Sequence, residues 1–190
     1  MSEEASRPEA AGEAVARLRE QLLDMWRELQ RQISERWQRS LPFADCIVDR
    51  WERARILGFD KGASIYDSAL VIGRVEVGEH TWIGPGVVLD GSGGLKIGAY
   101  CSISAGVQVY SHDTVRWALS GGRHGPDCAP TRIGSRCYIG PQTMIAKGVS
   151  IGDGCIIGAH SLVLGDVPAG MKAYGVPCRV MGPAIPEEQG

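Results

Sequence analysis

Residues 110–132, YSHDTVRWALSGGRHGPDCAPTR, contain the side chain in this sequence that is best suited to proton transfer. His112 lies near the start of this polar segment. An imidazole titrates close to neutral pH, so it can take the proton of a hydroxyl or amine while that group attacks an electrophile. We therefore predict that His112 is a general base. The alternative is a histidine that is simply solvated on a loop.

The sequence on both sides of this segment has an apolar residue at every sixth position, with one two-residue slip between Leu89 and Ile97. A period of six fits neither an α-helix nor a long strand, but it fits a short strand and a corner that repeat around a coil. The 26 glycines supply backbone freedom at the corners. Three repeats per coil predict a β-helix of nearly five coils. The inward positions are Ile65, Val71, Val77, Ile83, Leu89, Ile97, Ile103, Val109, Ile133, Ile139, Ile145, Ile151, Ile157 and Val163.

The polar segment interrupts this repeat, so its backbone is free to leave the stack. Counting repeats by threes places Leu89 and Val109 on the same face of neighbouring coils. Asp90 and the glycine-rich residues 91–94 should therefore lie close to His112. Asp90 either orients the histidine or binds substrate; otherwise it is a turn residue.

Composition excludes several other classes of protein. A formal net charge of −2 and a pI of about 6.1 give no global attraction to nucleic acid or anionic lipid. No apolar run is long enough to span a bilayer, and the N-terminus lacks the pattern of a signal peptide, so we expect a cytoplasmic protein. The six cysteines include no C-x-x-C pair, and Cys101, Cys137 and Cys155 occupy the small-residue position of the repeat, which predicts buried packing thiols.

The N-terminal part has a different period. Apolar residues at helical spacing predict a long amphipathic helix over about 10–39, and residues 43–59 suggest a second, shorter helix. The long helix either caps the β-helix or packs between subunits, or it docks a separate partner. We divide the chain into an N-terminal helical segment (1–61), the β-helix with its loop at 110–132 (62–168) and a closing tail (169–190).

The repeats, the histidine-bearing interruption, the stretch YIGPQTMIAKGVSIGDGCIIGAHSLVLGDVP and the ending GVPCRV together resemble a known family. Over residues 62–180 the sequence resembles the hexapeptide-repeat acyltransferases, in the branch of sugar O-acetyltransferases that includes galactoside, maltose and bacterial surface-polysaccharide acetyltransferases. The resemblance implies a left-handed parallel β-helix and a homotrimer with active sites between subunits. It also implies acetyl transfer from acetyl-CoA to a hydroxyl of a sugar or glycan precursor, with no metal and no nucleic-acid partner.

The same resemblance implies roles for individual residues. His112 would be the catalytic base in a direct transfer, which fits the absence of a G-x-S-x-G elbow. Arg179 would lie near the nucleotide phosphates. Leu164–Gly165 stand where relatives often have Thr-Lys, so a cation expected near CoA is missing. Lys147 or Lys172 is a candidate to replace it. The backbone contacts to pantetheine would come from Gly140, Pro141, Gly158 and Ala159. The acceptor-binding candidates are Asp90, Tyr110, Asp113 and Trp117. Tyr110 and Trp117 either stack on a sugar or anchor the loop. Asp113 either binds the acceptor or caps the loop.

Three other functions fit the sequence less well. A γ-class carbonic anhydrase site would need histidines clustered at coil corners, whereas His112 and His124 are twelve residues apart. A noncatalytic trimeric scaffold would need neither the elaborated loop nor the GVPCR ending. N-acetylation of an amino sugar is the alternative within acyl transfer, and the absence of a Rossmann-like nucleotide domain before the repeats argues weakly against one class of such enzymes.

Overall fold

The computed structural model describes residues 6–185, and the side chains from residue 11 onward. The chain forms two compact units, one up to Val48 and one from Asp49. None of the helices among the described residues is long and apolar enough to cross a membrane.

The first unit consists of two helices. Helix α1 (Ser6–Trp37) is the predicted long helix, and the short α2 (Phe43–Ile47) follows it. Arg31 pairs with Glu28 and Glu35, one turn away on either side. The apolar side chains of α1 remain substantially exposed at Val15, Leu18, Leu22 and Met25.

The second unit begins with helix α3 (Arg50–Ile56). The prediction of one helix over 43–59 was wrong, because the Asp49 carboxylate accepts hydrogen bonds from the amides of Trp51 and Glu52 and starts a new helix there. Arg53 of α3 donates to the backbone carbonyls of Tyr66 and Ala69, the latter at 2.8 Å. Helix α3 therefore ties into the first coil of the β-helix.

The predicted β-helix is confirmed, and its three sheet faces meet at three corners. The first face stacks six short parallel strands, and a last strand closes it antiparallel. These six parallel strands exceed the nearly five coils that were predicted, because Val167 and Ala173 continue the inward column beyond Val163. The strands of this face are β1 (Ser64–Ile65), β3 (Trp82–Ile83), β5 (Ser102–Ile103), β10 (Tyr138–Ile139), β13 (Ile156–Ile157), β15 (Met171–Tyr174) and β16 (Arg179–Pro183).

The second and third faces share their two longest strands. Strands β2 (Leu70–Val77) and β4 (Val88–Ile97) pair in parallel across both faces, with a register shift between Gly73 and Val75. We call the turns from the first to the second face the first corner, and those from the second to the third face the second corner. The other strands are β6 (Gln108–Val109), β11 (Met144–Ile145) and β14 (Leu162–Val163) on the second face, and β9 (Thr131–Ile133) and β12 (Ser150–Ile151) on the third.

The interrupting loop has structure of its own. Strand β7 (His112–Asp113) pairs antiparallel with β8 (Asp127–Cys128), and the five-residue helix α4 (Val115–Leu119) lies between them in sequence. We call these elements the loop hairpin. It leaves the stack at the second corner, between β6 and β9.

The buried thiols link successive coils. Cys101, Cys137 and Cys155 are all buried, and the Cys137 Sγ lies 3.1 Å from the carbonyl oxygen of Gly152 in the next coil. Thr81, in the equivalent slot, makes the same kind of bond, 2.7 Å from its Oγ1 to the Gly98 carbonyl. Cys101 and Cys155 donate in the same way, so each of these four small side chains donates to a backbone carbonyl oxygen of the next coil.

We expect Cys137→Ala to lower the free energy of unfolding by about 1–2 kcal/mol, because it removes this bond and leaves a small void. Cys137→Thr keeps a donor of the kind that Thr81 provides. It should therefore lose less than Cys137→Ala in urea unfolding. Equal losses in the two variants would show that the donor has no role.

Candidate active site

The second corner brings Asp90 and His112 together. Asp90 lies in β4, and its Oδ2 is 2.6 Å from the Nδ1 of His112. The same oxygen also accepts the backbone N–H of His112, at 3.1 Å. The aspartate side chain is fully buried, whereas that of His112 is 28% exposed. A carboxylate only accepts hydrogen bonds, so Nδ1 carries a proton, and in the neutral ring Nε2 keeps its lone pair.

The surroundings of Asp90 keep its carboxyl group charged. Its Oδ1 accepts the amide and the hydroxyl of Ser92, at 3.0 and 2.6 Å, and its Oδ2 accepts the amide of Ser111 at 2.9 Å. Burial alone would raise the pKa of Asp90, but the hydrogen bonds from Ser92, Ser111 and His112 hold it well below its usual range. The imidazole therefore faces a fixed negative charge.

The glycine-rich residues 91–94 shape this corner. They form a bulge within strand β4: Gly91 still pairs with Gly73 of β2, and the pairing resumes only at Leu95, after a register shift. The amide of Gly93 donates to the Ser111 hydroxyl at 2.8 Å, and a Cβ at Gly93 would lie 2.3 Å from the Ser111 carbonyl oxygen. Glycine is needed there because the loop hairpin passes so closely.

A cluster of charges holds the loop hairpin against the coil that follows it. Lys147, two residues after β11, places its Nζ 2.8 Å from the Asp113 Oδ2 and 2.5 Å from the Asp127 Oδ2. The Asp113 Oδ1 also accepts the amide of Val115 at 3.0 Å, at the start of α4. The hydrogen bond from Lys147 lowers the pKa of Asp113, and Asp113 in turn raises the pKa of Lys147.

Tyr110 and Trp117, two further acceptor candidates, lie before His112 and within the loop hairpin. Tyr110 is two residues before His112, and its hydroxyl donates to Gln108 Oε1 at 2.7 Å. Trp117 is on α4 with about half of its surface exposed, next to the exposed Val115 and Leu119. Acceptor roles for these residues stay predictions.

The predicted cofactor residues gather at a different corner. Gly140 and Pro141 lie at the first corner of one coil, and Gly158 and Ala159 at the first corner of the next. The backbones stack so closely that a Cβ on Gly140 would lie 2.5 Å from the Ala159 nitrogen. Arg179 is exposed at the start of β16. A single chain therefore places the donor candidates and the Asp90–His112 pair at separate corners.

Two further observations concern the cation that would replace the missing lysine and the prediction that no metal is used. Lys147 is engaged in the cluster with Asp113 and Asp127, so it is not available as the replacement cation, whereas Lys172 is exposed on β15. Within residues 6–185, no group of three or more His, Cys, Asp or Glu side chains is arranged to hold a metal ion.

The family comparison identifies the repeats. The family described as bacterial transferase hexapeptide (six repeats) matches residues 130–165. These are bacterial transferase hexapeptide repeats. The predicted resemblance to the hexapeptide-repeat acetyltransferases is thereby confirmed, and known relatives extend it beyond the matched residues.

The relatives with similar sequences are named as acetyltransferases. The chain is 30% identical over 117 residues to the putative colanic acid biosynthesis acetyltransferase WcaF of Escherichia coli (strain K12), covering 60% of this chain and 62% of the relative. It is 48% identical over 52 residues to galactoside O-acetyltransferase of the same strain, covering 27% and 26%. The chain thus spans less than two thirds of the length of either relative.

A solved structure matches more of the fold. The hexapeptide-repeat containing acetyltransferase VCA0836 of Vibrio cholerae has a TM-score of 0.63 and 23% identity, covering 86% of this chain and 91% of that one. At this identity the likeness supports the hexapeptide-repeat β-helix alone.

Proposed function

We propose that this hexapeptide-repeat protein is an acetyltransferase that moves an acetyl group from acetyl-CoA to a hydroxyl of a sugar or glycan precursor. The observation that carries the proposal is the 2.6 Å contact between His112 Nδ1 and the buried Asp90 carboxylate. That contact leaves Nε2 of the partly exposed ring as the proposed base. The names of the two relatives support acetyl transfer, and one of them supports a sugar hydroxyl as acceptor.

The reaction needs one proton acceptor and no enzyme nucleophile. Nε2 of His112 removes the proton from the acceptor hydroxyl as its oxygen attacks the thioester carbonyl carbon. The tetrahedral intermediate collapses, the carbon–sulfur bond breaks, and the imidazolium returns its proton to the CoA sulfur. Asp90 stabilises the imidazolium in between, because its buried negative charge is already in place.

The position of the cofactor candidates favours a site built from more than one subunit. The four residues predicted to contact pantetheine lie at the first corner, and the Asp90–His112 pair lies at the second. We infer that a homotrimer unites the first corner of one subunit with the second corner of its neighbour. Sedimentation equilibrium of the purified chain tests this assembly, and a monomer with full activity would contradict it.

The proposed activity is tested by measuring free-thiol release from acetyl-CoA with a panel of neutral sugars, glycan precursors and amino sugars. We expect release that depends on a neutral sugar or glycan, with the acetyl group recovered on oxygen. Release with amino sugars alone would indicate N-acetylation instead. No release with any acceptor would contradict the proposal.

Restoring a cation at position 165 is expected to strengthen donor binding. Gly165 is exposed, and a Cβ there meets nothing within 4 Å, so the fold accommodates a side chain. Gly165→Lys should lower the KM for acetyl-CoA by roughly threefold to tenfold through attraction to the phosphates, and added salt should reduce the gain. Gly165→Met adds a comparable uncharged chain and is the control. Equal KM values for the two variants would show that the added charge does not contact the donor.

A further inference from the structure

Lys147 bridges two carboxylates that face each other across the loop hairpin. Asp113 and Asp127 are direct partners in the antiparallel pairing of β7 with β8. Like charges at directly opposed positions of a strand pair repel each other. The Lys147 Nζ lies within 2.8 Å of one carboxylate oxygen of each, and 3.3 Å from the backbone carbonyl oxygen of Asp127. A single cation therefore lies between the two negative charges, offsets their repulsion and ties both strands to the coil.

The bridge is partly shielded from solvent. The side chain of Lys147 is 21% exposed, against 39% for Asp113 and 49% for Asp127. By contrast, the ion pair between Lys96 and Glu76 on the third face has a separation of 3.5 Å, and both side chains are more than half exposed. Shielding and close approach make the Lys147 bridge the stronger constraint, since exposed ion pairs contribute little.

The bridge acts on the residue next to the proposed base. His112 directly precedes Asp113 in β7, and His112 is itself the strand partner of Cys128. On one side, the Asp90 carboxylate fixes the ring through Nδ1. On the other, Lys147 fixes the strand that carries the ring. A shift of this strand would move Nε2 relative to the acceptor, and misplacement by about 1 Å is enough to slow a reaction on the order of 100-fold.

We propose that Lys147 is a positioning residue for the transfer reaction, which bridges the carboxylates of Asp113 and Asp127 and so holds the loop hairpin with Nε2 of His112 facing the acceptor. This proposal rests on the proposed function for its kinetic consequence. Its structural consequence is independent of activity. Without the cation, two carboxylates are left facing each other, and the hairpin should separate from the coil.

The kinetic test compares Lys147→Met with the double variant Lys147→Met/Asp127→Asn. The single variant should lower kcat by roughly 10-fold to 100-fold, with the KM for acetyl-CoA changed by no more than about twofold. The double variant removes the repulsion and should recover most of the lost kcat. Lys147→Arg should keep wild-type kcat to within about threefold, since it retains the charge. Lys96→Met, which breaks the exposed ion pair, is the matched control and should behave as wild type.

The second readout is trypsin cleavage after Arg123, which lies in the loop between α4 and β8. Lys147→Met should be cut faster there than wild type, and the double variant should be cut at close to the wild-type rate. Wild-type kcat and wild-type protection in Lys147→Met would overturn the proposal, as would a double variant as impaired as the single one. If the wild-type chain transfers no acetyl group, the proposed function fails, and the cleavage rates alone decide the role of Lys147.

Discussion

Replacing His112 by alanine is expected to lower kcat for acetyl transfer by about 10²–10⁴-fold, the range that a positioned general base contributes. The variant loses Nε2, the nitrogen that we propose as the base. The side chain is partly exposed and lies outside the inward column, so the β-helix should keep its circular dichroism spectrum and its assembly. Steady-state kinetics with acetyl-CoA and the best acceptor of the panel provide the measurement.

His124→Ala is the matched control for this variant. His124 lies in the same loop and is exposed, and its backbone amide donates to the Ser120 hydroxyl. Its loss should change kcat by no more than about twofold, as expected for a surface substitution. An active His112→Ala variant, or an inactive His124→Ala variant, would contradict the assignment of His112 as the general base.

Asp90→Asn is expected to reduce kcat nearly as strongly, by about 10²–10⁴-fold, because it changes the tautomer of His112. The carboxylate requires a proton on Nδ1 and leaves Nε2 free to act as a base. An asparagine lacks the charge that stabilises the imidazolium, and in the orientation that turns its amide nitrogen toward Nδ1 it also places the proton on Nε2 and removes the base. The donors of Ser92 and Ser111 would also lose part of their partner, so some loss of stability accompanies the loss of rate.

Asp153→Asn separates this effect from the general effect of removing a corner carboxylate. Asp153 is exposed, and its Oδ1 accepts the amide of Ser135 at 2.8 Å, away from the loop hairpin. Its variant should retain kcat to within about twofold. If Asp90→Asn keeps wild-type kcat and the wild-type pH profile, the carboxylate does not set the tautomer of His112.

Repetition made the β-helix predictable from the sequence. Each inward residue, such as Ile103 or Ile139, recurs at a fixed spacing, so local pattern and overall fold give the same answer. The end of the stack was less predictable, because Ala173 continues the inward column as a small residue that the aliphatic pattern does not reveal. The helix break at Asp49 was missed for a local reason, since its capping carboxylate interrupts a continuous helical period.

The site was predictable only in part. The count of repeats placed Asp90 near His112, but whether Asp90 orients the base or binds substrate was left open. The deciding contact depends on the conformation of residues 91–94, which has no repeat to specify it. The bridge from Lys147 to Asp127 was not predicted, because the two residues meet only after β7 and β8 pair. Opposite charges flanking an interruption in the repeat are the sequence signal that would have suggested it.

The most direct test of a histidine-assisted direct transfer is a rapid-quench experiment with acetyl-labelled acetyl-CoA and the best acceptor. We predict that the label passes from acetyl-CoA to the acceptor oxygen with none covalently attached to the protein at any time, and that His112→Ala blocks this step while leaving acetyl-CoA binding intact. Label covalently attached to the protein before it reaches the acceptor, or transfer at the wild-type rate without His112, would contradict a direct transfer assisted by His112.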